Sequence, residues 1–77
     1  MAKVDIYHYG SPTSVTSVTL SNCDSTNTND YAVMVQSKDG DRYYLDWYKP
    51  SAISGSTLTL TGSAVDLVTL IMVTQQG

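Results

Sequence analysis

Seven aspartates, ten serines, one histidine and one cysteine are the residues of this 77-residue chain best equipped for chemistry. His8, Ser11 and an aspartate have the types of a charge-relay nucleophile, in which the imidazole takes the hydroxyl proton. No nucleophile-elbow pattern frames Ser11, and any chain this rich in Ser and Thr offers such combinations, so no catalytic residue is expected. Asp39-Gly40-Asp41 starts as a calcium loop starts, but the spacing and closing Glu of an EF-hand are missing, and a turn explains it better. Cys23 has no Lys, Arg or His near it in sequence to stabilise a thiolate and reads as a quiet loop or packed cysteine. One His and one Cys are too few for a metal cage, so no metal or cofactor is expected. His8 alternates with Val4 and Ile6, which predicts a partly buried, hydrogen-bonded imidazole.

The elements that must carry these residues are strands. All seven acidic residues are Asp, with no Glu, and Ser and Thr number ten each, so a strong helix former is missing while turn-favouring residues abound. Eight Val and ten Thr favour pleated strands. Residues 1–77 make one domain whose core alone gives marginal stability. A lone cysteine cannot brace it internally, which leaves oligomerisation. A formal net charge of −3 opposes binding to a phosphate backbone, so nucleic acid is not an expected partner. MAKVDIYHYGSP lacks the basic flank and apolar core of a signal peptide, and the most apolar stretch, Val65 to Val73, is too short to span a bilayer.

Alternation predicts about six antiparallel strands in a small all-β sandwich or barrel. Val4 to Tyr9 comes first, with Val4, Ile6 and His8 on one face and Asp5, Tyr7 and Tyr9 on the other, ended by Gly10-Ser11-Pro12. Val15 to Leu20 follows, then a polar loop from Ser21 to Asp30. DYAVMVQSKDGDRYYLDWY forms a hairpin. A three-residue Lys38-Asp39-Gly40 loop with Gly40 in a G1 bulge keeps Asp46 out of the core and sets Val33 opposite Leu45, both inward, with Tyr44 outward. Thr57 to Thr61 places Leu58 and Leu60 inward. Val65 to Thr74 could be a helix capped at Ser63, but six β-branched residues in ten favour a strand. From Leu67 onward both its faces are largely apolar, a pattern that wants cover on both sides, and a partner subunit could supply the second.

Tyr7, Tyr9, Tyr44 and Tyr48 fall on the outward faces of these strands, with Met34 across from Tyr44. Tyrosine and methionine are favoured where protein surfaces meet. The expected protein-binding residues are therefore Met34, Tyr44, Tyr48, Val68, Leu70 and Met72. Stacking on sugars would use the same tyrosines, so a small carbohydrate-binding module with a glycan partner is the alternative.

In overall character the chain resembles small virion proteins of tailed bacteriophages: head-decoration, fibre and connector subunits. Short length, strands joined by Ser/Thr-rich loops, and a doubly apolar strand such as VDLVTLIMV near the end carry the resemblance, which is one of style and brings over no functional residue. It implies a non-enzymatic structural subunit of a symmetric assembly, made in the host cytoplasm and carried in the virion. Its partners would be itself or a major structural protein.

Overall fold

Val33 and Val35 are fully buried while Met34 between them is only half-buried, the signature of a strand with one side on a core and the other open. The computed structural model describes residues 2–76, which form seven strands and one short 3-10 helix. The strands are β1 (Lys3–Val15), β2 (Ser17–Thr19), β3 (Tyr31–Asp39), β4 (Arg42–Tyr48), β5 (Ala52–Ser54), β6 (Thr57–Thr59) and β7 (Val65–Gln75). They build an all-β sandwich of two antiparallel sheets, a four-stranded one in the order β1-β7-β3-β4 and a three-stranded one in the order β2-β6-β5.

The chain changes sheets at Thr16, between β1 and β2. The small sheet then lies over one face of the large one. Its Val18 and Leu58, with Leu60 just beyond β6, meet Val33, Val35, Val68, Ile71 and Val73 in a single core. Leu58 and Leu60 point inward as their alternation with threonine predicts. The last long segment is a strand, and the ten polar residues from Ser21 form a loop that ends in the 3-10 turn Thr28–Asp30.

Four expectations need correction. Gly10-Ser11-Pro12 does not end the first strand, which runs on to Val15. β1 is a sheet edge, where proline costs no ladder bond, and the pairing with β7 slips between His8 and Thr13 to absorb the kink. His8 is exposed, because the face it shares with Val4 and Ile6 is the one the small sheet leaves uncovered. Tyr7, Tyr9 and Tyr48 face inward and pack against the core.

The hairpin register is the fourth. Asp39 pairs with Arg42, so the loop is Gly40-Asp41, and Val35 faces Asp46 while Gln36 faces Leu45. Gly40 takes φ of 62° at the first loop position, as in a type II′ turn, and Gly55 does the same at φ of 59° in the Gly55-Ser56 loop between β5 and β6. Asp46 can stand on the core side without being buried, because the small sheet does not reach over β4, whose residues are all exposed except half-buried Tyr48. Leu45, expected inward, is on the open face and 64% exposed.

A Cβ on Gly40 or Gly55 would meet no atom within 4 Å, so only the backbone resists substitution there. Gly40→Val and Gly55→Val should each lower stability by about 1 kcal/mol or more in chemical denaturation. Leu67, the one non-glycine residue with positive φ among those described, sits at φ of 60°. Leu67→Gly should cost nothing, because relief of that conformation offsets the greater freedom of glycine in the unfolded chain.

Candidate functional site

The register of the large sheet sets four side chains in a row across its outer face: Ile6 beside Met72, Met72 beside Met34, and Met34 beside Trp47. A second row runs His8, Leu70, Gln36 and Leu45. Val4, Thr74 and Ala32 close one end, and Lys38 with Tyr43 the other. Ile6 is 53% exposed, Tyr43 59% and Trp47 63%, with Leu45 beside them. Lys38 is the charged side chain of these rows, and its ammonium lies 5.5 Å from the centre of the Tyr43 ring.

Four strands at about 4.8 Å spacing and six residues of rise give this face roughly 400 Å² in projection. Its apolar part, interrupted by His8, Gln36, Thr74 and Lys38, lies within the range of the largest patch on a typical monomer, one that is often functional. Trp47 and Tyr43 are the residue types that dominate binding energy at protein interfaces, and methionine adapts to the shape it meets.

Of the residues expected to bind protein, Met34, Leu70 and Met72 lie together on this face. The other three do not. Val68 is fully buried, because the β3–β7 pairing shifts between Gln36 and Ser37 and turns it toward the core. Thr69 fills the irregularity, its Oγ1 donating to the Gln36 carbonyl at 3.1 Å. Tyr48 packs on the core, and Tyr44 is exposed on the core side of β4, beyond the edge of the small sheet. Ile6, Tyr43, Leu45 and Trp47 were missed. Their signal was present in the alternation of β1 and β4, but each strand was read with its two faces exchanged.

The other concentration of chemistry lies at the loop from Ser21 to Ser25. The buried Asp5 carboxylate accepts from three consecutive backbone amides: Ser21 at 3.2 Å, Asn22 at 2.9 Å and Cys23 at 2.9 Å. Gln75 Oε1 accepts from the next two, Asp24 at 2.6 Å and Ser25 at 3.0 Å. The Lys3 ammonium closes the outside of the loop on Asp24 at 2.7 Å. Burial works to raise the Asp5 pKa, but the three amide bonds outweigh it and hold the carboxyl below the usual range. Burial, then Asp5, pushes the Cys23 thiol up to about 11. A thiol so protonated at neutral pH is a packed group rather than a nucleophile. The same causes, burial first and Asp5 second, push Tyr7 up to about 12, and its hydroxyl donates to the Thr19 carbonyl. Asp5 and Gln75 therefore pin the loop over the end of the sandwich, a structural task.

His8 is exposed on the outer face and Asp5 is buried on the core side, so β1 turns these two away from each other. Among the described residues, no three of His, Cys, Asp and Glu converge as metal ligands, and no cavity is present. No protein family, characterised protein or solved structure matches the chain.

Because the Asp5 pKa is depressed on folding, its contribution to stability is complete above the unfolded value of about 3.9 and is lost as pH falls through the folded value. Asp5→Asn should cost roughly 1 to 3 kcal/mol at pH 7, by leaving amides without acceptors, and should flatten the fall in stability below about pH 4. Denaturation midpoints of both proteins between pH 2.5 and 7 check this. Parallel curves would remove Asp5 as the group responsible.

Proposed function

We propose that the chain is a non-enzymatic structural subunit of a larger assembly, of the kind found in a bacteriophage virion made in the host cytoplasm. It would bind a neighbouring protein through the outer face of its large sheet. The observation that carries this reading is the unbroken row from Ile6 through Met72 and Met34 to Trp47, which crosses every strand of the sheet without a charge. Fully burying an exposed side chain of this kind is worth roughly 1.5 to 3 kcal/mol, and Ile6 and Trp47 leave more than half of their surface in water. The carbohydrate-binding alternative has less behind it. Its platform was to be the tyrosines, three of which are spent on the core.

Sedimentation of an extract from cells that make the protein naturally tests this. The wild type should travel with a heavy particle. Met34→Lys and Met72→Lys should move to the light fractions, each losing at least tenfold of the bound material, while keeping cooperative unfolding as purified proteins. A wild type found only in the light fractions would contradict the proposal.

A further inference from the structure

Of the sheet edges among the described residues, β4 alone presents a long, uninterrupted strand. β2 and β5 are three residues each. β1 is broken by Gly10-Ser11-Pro12 and by its slipped register, devices that discourage strand addition. β4 has seven residues, pairs with β3 on one side only, and contains no proline, glycine or lysine.

The two-residue loop determines which of its backbone groups are free. Arg42 closes that loop against Asp39, so its amide and carbonyl turn toward β3. Alternation then turns those of Tyr44, Asp46 and Tyr48 the same way, and those of Tyr43, Leu45 and Trp47 outward.

We propose that this edge pairs with β4 of a second copy of the chain, antiparallel about a two-fold axis at Leu45, to make one continuous eight-stranded sheet. The sequence RYYLDWY is complementary to itself in that register. Leu45 meets Leu45, and Tyr43 meets Trp47 on the outer face. On the other face Tyr44 meets Asp46, a hydroxyl that can donate to a carboxylate, and Arg42 meets the ring of Tyr48. No like charges oppose each other. All three outward residues find partners, which gives six backbone hydrogen bonds by the antiparallel pattern. Sliding the axis by one residue in either direction leaves at least one outward residue without a partner, and one of the two slides sets Asp46 against Asp46. The pairing joins the outer faces of two subunits into a single apolar surface of twice the width. It rests on the reading of the chain as an assembly subunit, but uses a different surface from the one that would contact the neighbouring protein.

Cysteine cross-linking of the purified chain tests both pairing and register. Paired residues of this type have Cα atoms about 5.5 Å apart, within disulfide range. Leu45→Cys should therefore oxidise to a covalent dimer. Tyr43→Cys alone should not, since the two copies of residue 43 lie roughly 13 Å apart along the strands. A mixture of Tyr43→Cys and Trp47→Cys should cross-link as a heterodimer. The buried Cys23 should leave the wild type uncross-linked. Leu45→Cys that stays monomeric while folded would overturn the pairing, and Tyr43→Cys that links to itself as readily would overturn the register. Because the purified chain is used, a cross-linked dimer that never joins a heavy particle would retire the larger assembly and keep the pairing. A particle-bound protein that does not cross-link would do the reverse.

Discussion

The small sheet can cover only one side of the large one, and the rest of the structure follows from that shortage. Its three strands of three residues share one core with Val33, Val35, Ile71 and Val73, which are completely buried. Of β4, only Tyr48 packs against that core. The outer face has no second layer from this chain among the described residues, although the residues there are of the types that layers are built to cover. A sandwich this small holds a core on one side of its main sheet and leaves the other side uncovered by the described residues.

Within the covered half, polar groups are handled with economy. The loop from Ser21 to Ser25 crosses the end of the core, where water cannot reach all its amides. Asp5 and Gln75, one on β1 and one on β7, take five of them in succession. Tyr31 adds a hydroxyl to the Ser25 carbonyl at 2.7 Å, and the Gln76 amide donates to the Asp30 carbonyl at 2.8 Å. These bonds hold β1, β7 and the start of β3 in one frame, which fixes the register on which the outer rows depend.

Legibility in the sequence followed cover. Leu58 and Leu60 alternate with threonine and are buried as that alternation predicts, because a layer lies on one side of them and water on the other. The β-branched residues of β7 identified it as a strand for the same reason. At β4 the logic failed, since neither of its sides is fully covered and the position of Asp46 therefore carries no information about register. Turn chemistry decided instead, with Gly40 at the first of two loop positions. Val68 was misplaced by the irregularity at Thr69, which no two-residue period can reveal. β5 is three residues long and left no pattern at all. The loop clamp was invisible because Asp5 reads as one more polar residue in an alternating strand, and its role appears only when Ser21 to Cys23 fold back onto it. Met34, Leu70 and Met72 were placed on one face because the period-two alternation of β3 and of the later part of β7 holds there.

The outer face and the β4 edge are adjacent, and Tyr43, Leu45 and Trp47 belong to both: side chains on the face, backbone groups on the edge. On the proposals above, this corner of the molecule receives another protein chain. Residue-resolved hydrogen exchange of the β4 amides, in dilute and in concentrated solutions of the pure protein, tests it most directly. In dilute solution the amides of Tyr44, Asp46 and Tyr48 should be protected by β3 and those of Tyr43, Leu45 and Trp47 should exchange freely. At high concentration all six should slow together as the outward set finds its partners. If Tyr43, Leu45 and Trp47 exchange at the same unprotected rate at every concentration, the edge stays open in solution and the claim fails.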